Sequence, residues 1–242
     1  MIVEDEPLSR LFLQNLLGSC PDIEVIGMAA NEDEAVDAIL EGQPGLVFMD
    51  IELQTGSGFG VVDRLGNRDP HIVFTTALDQ RATNLLRLSG VPYIQKPIDL
   101  ESLSLALQAA RDSNHRPHHA AALMHLRSTL RNNRTPLSML LPGSEDFAYV
   151  ALQDIIAIEA SGKESRIWHH SGDELTVPLE LKELDDLLRD FGFFRPHMQY
   201  IVNRSQVRDI PSDNGDTVVM KNDRYIPVSP KKLAELRQYL GG

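Results

Sequence analysis

The sequence predicts two folds in one chain: an α/β domain on a five-stranded, doubly wound parallel sheet, then a mainly antiparallel β domain. Three observations carry this reading. Over residues 1–112, apolar runs of strand length alternate five times with helical periodicities, as the βα units of a parallel sheet require. From Phe147 onward, short alternating or apolar runs are separated by glycine and aspartate turns, the pattern of antiparallel strands. Between them, residues 113–145 gather His115, Pro117, His118, His119, Pro136, Pro142 and Gly143, which reads as a linker.

Met1, Ile2 and Val3 form a short apolar strand closed by Glu4-Asp5-Glu6. Pro7 then opens a helix carrying Leu8, Leu11, Phe12 and Leu16 and stopping at Gly18. So short a strand predicts either a native start upstream of Met1 or a frayed edge. Residues 23–28 read as the second strand. Asn31 caps the next helix, with Glu34 completing a capping box and Ala35, Ala38 and Ile39 on the buried stripe. Leu46-Val47-Phe48-Met49 is an unbroken apolar run, a strand buried on both faces, and it ends in the carboxylate of Asp50. Gly56-Ser57-Gly58 precedes a helix with Phe59, Val62 and Leu65. Residues 71–75 make a strand leading to Thr76, and Ala82, Leu85, Leu86 and Ser89 a helix ending at Gly90. Tyr93-Ile94-Gln95 is the last strand, closed by Lys96-Pro97, and Asp99 caps a helix with Leu100, Leu103, Leu107 and Ala110.

Right-handed crossovers bring Glu4, Asp5, Asp50, Thr76 and Lys96 to the carboxyl edge of this sheet, where open α/β sheets bind ligands. Singly, each has an ordinary structural role: strand-end aspartates make turns, acids sit at helix starts, lysines are solvated. Five at successive strand ends make a site. Three converging carboxylates repel one another and suit a divalent cation with oxygen ligands, Mg2+ above all. With that charge neutralised, Asp50 is a nucleophile toward phosphorus, and Lys96 and the Thr76 hydroxyl can bind phosphoryl oxygens.

The strings VEDEP, LVFMDIEL, TTA and YIQKPI, in this order and spacing, resemble the receiver domain of two-component response regulators, whose fold is flavodoxin-like. The resemblance implies that Asp50 is the phosphoacceptor, that Glu4, Asp5, Asp50 and the Glu52 carbonyl are metal ligands, and that Lys96 pairs with the phosphate ahead of a cis Pro97. It makes Thr76 and Tyr93 the switch pair, a sensor histidine kinase the phosphodonor, and dimerisation through the fourth helix, fifth strand and fifth helix the response. One departure is Leu53-Gln54, where the family usually has Met-Pro; no ligand is lost by it.

Composition narrows the alternatives. The chain of 242 residues carries a net charge of -12, of which residues 1–112 hold 7 basic and 18 acidic side chains. That half favours cations over phosphate backbones. No apolar run reaches the length of a membrane span and no basic flank precedes an apolar stretch, so a cytoplasmic protein without membrane attachment is expected. Cys20 is the only cysteine, which excludes an internal disulfide and thiolate cages and leaves it as a small apolar filler.

Within the linker, Leu123, Leu126 and Leu130 mark a possible short helix whose neighbouring arginines could meet phosphates or the acidic first domain. Close histidines there could bind a transition metal, but a solvated linker is the simpler reading. In the β domain, a leucine-rich helix over residues 181–189 precedes FFRPHMQYIVN, with IEASGKESR upstream and YIPVS downstream. Residues 146–242 by these marks resemble the LytTR DNA-binding domain, giving the chain the architecture of the LytR/AlgR-like regulators. The resemblance implies that loops rather than a helix read double-stranded DNA. Position by position, its candidates are Lys163, Arg166, Arg195, His197, Met198, Gln199, Arg204, Lys231 and Lys232. Against this, His197 could be a buried structural histidine, Pro230 stands where an arginine is usual, and a net charge of -4 over residues 146–242 is poor for binding DNA. Trp168 is expected in the core or on the sheet.

The function expected is therefore a transcriptional regulator, not an enzyme beyond its own phosphoryl transfer and slow dephosphorylation. It would be phosphorylated on Asp50, then dimerise and bind paired half-sites. An alternative is a regulatory protein-interaction module with weakened base reading. A phosphatase working through an aspartyl phosphate is less favoured, because Asp50 is followed at the second position by Glu52 rather than by aspartate.

Overall fold

Buried runs become parallel strands in the amino-terminal half. β1 (Ile2–Val3), β2 (Met28–Ala29), β3 (Leu46–Asp50), β4 (His71–Thr76) and β5 (Tyr93–Gln95) pair in the order β2-β1-β3-β4-β5, every pair parallel. The computed structural model describes residues 1–66, 68–77, 80–112, 116–132, 136, 138–142, 147–211 and 217–241. It divides into two compact units, Met1–Thr135 and Pro136–Gly242.

Five helices follow the five strands: α1 (Pro7–Gly18), α2 (Glu32–Gly42), α3 (Gly58–Arg64), α4 (Gln80–Ser89) and α5 (Leu100–Arg111). Strand residues alternate between two faces with period two, and so does the core. Ile2, Phe48, Val73 and Ile94 pack with Leu13 and Leu17 of α1 and Leu103 and Leu107 of α5. Val3, Val47, Met49, Ile72 and Phe74 pack with residues of α2, α3 and α4. Side-chain oxygens cap three helix starts as their residue types allow: Asn31 accepts from the Glu34 N–H, Ser57 from Gly60 and Asp99 from Ser102.

Two local expectations change. The second strand is Met28–Ala29, not residues 23–28, because β1 has only two residues with which to pair it; Ile23 and Val25 instead pack partly buried beneath α1 and α5. Nor is the first strand frayed. β1 is bonded on both sides, and Met1, Ile2 and Val3 are buried.

The segment read as a linker contains α6 (Arg116–Arg131) and the strand β6 (Ser138–Pro142). His115 and Gly143 lie outside the described residues. α6 packs on α3 and α4, with Ala122, Leu123 and Leu126 buried in the core that backs β4. Each leucine stabilises the docking by about 1.5–3 kcal/mol. Proline in the first turn opens a helix rather than breaking it, so Pro117 misleads as a linker signal. Two of the arginines meet the acidic domain: Arg127 binds Asp69 at 2.6 Å, and Arg131 binds Asp63 at 2.7 Å.

His119 is buried, stacks on His71 with ring centroids 4.1 Å apart, and accepts the Ile72 N–H on Nε2 at 2.9 Å. Burial first, then the neighbouring His71, pulls its pKa down from the ordinary 6.5 to about 4. Between pH 6.5 and 4 the unfolded chain binds a proton that the folded chain refuses. Stability is therefore full above pH 6.5 and is lost as pH falls toward 4, by up to about 3 kcal/mol. Urea unfolding at pH 7 and pH 4.5 should show this loss, and H119Q, which keeps an acceptor that does not titrate, should remove this part of it. An equal pH dependence in both proteins would rule the effect out.

The second unit is antiparallel. β6 pairs with β7 (Phe147–Ala151). β8 (Ile155–Ser161), β9 (Glu164–His169), β10 (Glu174–Val177), β11 (Phe193–His197) and β12 (Tyr200–Asn203) form a sheet in the order β10-β9-β8-β12-β11. β13 (Val207–Asp209), β14 (Thr217–Met220) and β15 (Tyr225–Pro227) form another. α7 (Leu181–Leu188) buries Leu181, Leu184, Leu187 and Leu188 and is closed by a capping box between Glu180 and Glu183. The terminal helix α8 (Pro230–Gly241) buries Leu236 in the core formed by Ile156, Phe194, Val202 and Trp168, and Arg224 lies over the Trp168 ring.

Candidate functional site

At the carboxyl edge of the parallel sheet, β1 delivers Glu4 and Asp5, β3 delivers Asp50, β4 delivers Thr76 and β5 delivers Lys96. These residues line one cavity of about 180 Å³ with Glu6, Ile51, Glu52 and Ala77. Glu4 and Asp50 are buried and Asp5 is exposed, so the carboxylates range from the cavity floor to its mouth. One carboxylate oxygen from each of Glu4, Asp5 and Asp50 lies within 4.8 Å of the others. Among the described residues this is the one such cluster, and the histidines of the former linker contribute to none.

Lys96 balances the two buried acids. Its ammonium donates to Asp50 Oδ2 at 2.5 Å and to Glu4 Oε1 at 3.0 Å. Burial pulls this ammonium down, but the hydrogen bonds to Asp50 and Glu4 and the attraction of both charges outweigh it and hold its pKa above the ordinary lysine value. Burial also pushes the Glu4 carboxyl up, and the Asp50 charge adds to this against the pull of Lys96. The peptide bond between Lys96 and Pro97 is cis. The Thr76 hydroxyl donates to the Ala77 carbonyl at 2.7 Å, and Tyr93 is half-buried. All-oxygen donors around a buried excess of negative charge fit a hard divalent cation.

The backbone around Asp50 is set by contacts that pattern reading did not show. Arg10, on α1, donates to the Glu4 carbonyl at 2.5 Å. Glu32 accepts the Ser57 N–H at 2.9 Å, and Leu53, at the departure from the family pattern, is buried in the core. Gly58 donates to the Ile51 carbonyl and lies so close that a Cβ there would sit 2.2 Å from the Asp50 carbonyl oxygen. The string GSG was legible as a loop; the need for no side chain at its second glycine was not.

In the second unit, two hairpin turns and the start of α8 meet at one sheet edge. Gly162 and Lys163 turn β8 into β9, and Met198 and Gln199 turn β11 into β12. The Ala160 N–H donates to the Gln199 carbonyl at 2.9 Å, and the Ser229 N–H to the Pro196 carbonyl at 2.9 Å. Strands spaced about 4.8 Å apart thus align these loops along roughly 15 Å. Lys163, Met198, Gln199, Lys231 and Lys232 are exposed there, and His197 is half-exposed rather than buried.

The remaining candidates are engaged within the unit. Arg166 lies 3.7 Å from Glu159 and 3.6 Å from Glu174. Arg195 braces the β11–β12 turn through the Met198 carbonyl, and Lys232 binds Glu235. Arg204 is not brought to this edge: its N–H bonds the Gly192 carbonyl at the opposite end of β12, and its guanidinium lies over Tyr239.

Comparison with known proteins agrees with this architecture. Residues 1–108 match the response regulator receiver domain, and residues 145–241 match the LytTr DNA-binding domain. The transcriptional regulatory protein BtsR of Salmonella typhi is 30% identical over 246 residues, covering 100% of this chain and 98% of the relative. BtsR of Escherichia coli K12 is 28% identical over 245 residues, with the same coverage. The sensory transduction protein LytT of Bacillus cereus is 28% identical over 249 residues, covering 99% of this chain and 98% of that protein. A receiver fold with its acidic edge, followed by a β unit with three loops on one edge, places this chain in the family of two-component response regulators that carry a LytTR DNA-binding domain and regulate transcription.

Proposed function

We propose that Asp50 is the phosphoacceptor of a phosphorylation-dependent switch that dimerises the chain on paired DNA half-sites. The observation that carries this is the convergence of Glu4, Asp5, Asp50 and Lys96 in one cavity. An Asp50 carboxylate oxygen attacks the phosphorus of a phosphohistidine on a sensor kinase; the phosphorus–nitrogen bond breaks and the imidazole leaves with a proton. Glu4, Asp5, Asp50 and the Glu52 carbonyl would hold Mg2+, which offsets the charge of the incoming phosphoryl group. Lys96, already 2.5 Å from Asp50, keeps its ammonium on the phosphoryl oxygens. Thr76 gives up its bond to Ala77 and turns its hydroxyl to the new group, and Tyr93 follows into the space it leaves.

Lys163, His197, Met198, Gln199 and Lys231 then form the DNA-facing edge, with Arg166, Arg195 and Lys232 behind it. The acidic partners of Arg166 and Lys232 weaken what one unit gains from phosphates, so binding depends on two half-sites held by one dimer. These same pairings favour the second reading, a protein-interaction module with little base reading. Sedimentation of the purified chain with and without Mg2+ and beryllofluoride, an aspartyl-phosphate mimic, tests the switch. A shift from monomer to dimer in wild type and none in D50A is expected. Equal sedimentation of wild type in both conditions, with no DNA retained in a gel shift, would replace this reading with the second.

A further inference from the structure

α4 is enclosed. It begins at Gln80, shortly after Thr76, and Ala82, Asn84, Leu85, Leu86, Leu88 and Ser89 are all buried. One of its cover elements is α6, whose His125 Nδ1 lies 3.2 Å from Ser89 Oγ at the end of α4. α6 is also held at points outside α4. His119 accepts from Ile72 of β4, Arg127 binds the Val62 and Arg68 carbonyls and Asp69, and Arg131 binds Asp63 of α3. The next element along the chain is β6 of the second unit.

We propose that α6 is the output arm of the receiver: it stays clamped to α3 and β4 in both signalling states, and a shift of α4, set off at Thr76 four residues before its start, reaches the DNA-binding unit through the contact between Ser89 and His125. This rests on the switch proposed above. Release of α6 is the competing mechanism, and magnitude decides against it. Coupling between sites typically changes an affinity by roughly 5- to 150-fold. Freeing α6 would expose two fully buried leucines and strip a buried guanidinium of three partners at once. A small sliding of packed helices keeps all of these.

The test uses the full chain, in a C20S background where thiols are introduced. The probe is a duplex enriched from a random pool by the beryllofluoride-bound wild type. D63C/R131C, two exposed positions joined by a short bis-thiol linker, pins α6 to α3. The gain in DNA affinity on adding beryllofluoride should stay within twofold of that of the unlinked variant. H125A should cut this gain at least fivefold, with phosphoryl uptake at Asp50 and the melting temperature unchanged. A gain abolished by the linker means that α6 must leave, and a gain that survives H125A means that the contact transmits nothing; either overturns the proposal alone. A wild type with no gain overturns the switch itself, and the proposal with it.

Discussion

Replacing Arg127 by alanine is expected to destabilise the first unit by about 2–4 kcal/mol, from two carbonyls left without their donor and the loss of a half-buried ion pair. The guanidinium is buried and spends its fork on three acceptors: Nε on the Val62 carbonyl at 3.0 Å, Nη1 on Asp69 at 2.6 Å and Nη2 on the Arg68 carbonyl at 2.8 Å. Alanine would leave two carbonyls and a carboxylate without this donor and open a void beneath α6. Lysine should not rescue the loss, because a point charge on a flexible stem cannot meet three acceptors set in a plane. Chemical denaturation of the full chain, followed by hydrogen exchange in residues 116–131, would read both consequences. An R127A protein with wild-type stability and a protected α6 would show that the helix is held by its apolar face alone.

G58A is expected to slow phosphoryl uptake by Asp50 on the order of 100-fold, because a displacement of about 1 Å at a reacting group costs that much. The new Cβ would lie 2.2 Å from the Asp50 carbonyl oxygen and 2.8 Å from Met49 Cγ, and the first of these is backbone that cannot swing aside. Either the end of β3 or the start of α3 must move. The strain should also cost about 1–3 kcal/mol of stability, as overpacking does in a core. The mass gained by the chain with a small acyl phosphate and Mg2+ reports the rate. Uptake at the wild-type rate would show that the loop absorbs the methyl group without moving the carboxylate. The neighbouring G56A is a control of another kind: its site has a φ of +81° and a Cβ there would meet Oε2 and Cβ of Glu32, so it strains the loop without touching the phosphoacceptor strand.

Much of this was legible in order along the chain. Leu46–Asp50 read as a strand buried on both faces and is one, and the strand-end residues read as one site share one cavity. These signals are local: a strand of a parallel sheet must be apolar on both faces, and right-handed crossovers leave few places for its ends. The Gly162-Lys163 turn was equally local, since a glycine marks where the chain reverses, whereas the Met198-Gln199 turn carries no such mark and only the pairing of β11 with β12 shows it.

Less local facts escaped. Leu123 and Leu126 announced a helix, but the histidines and Pro117 around them spoke for solvent. Only the fold supplies an Ile72 N–H for His119 and three acceptors for Arg127, from segments far away in sequence. Arg204 shows the converse. It follows the run that marks the second domain, yet strand geometry carries it about 13 Å from the turn edge, at the far end of β12. The sequence by itself determined the order of the elements, the acidic edge and the residue types that could do chemistry there, because periodicity and strand-end placement are written in neighbouring residues. The tertiary structure alone decided that a solvated-looking segment is a sixth helix of the first unit and which basic residues share a surface, because burial and partnership belong to residues that meet only after folding.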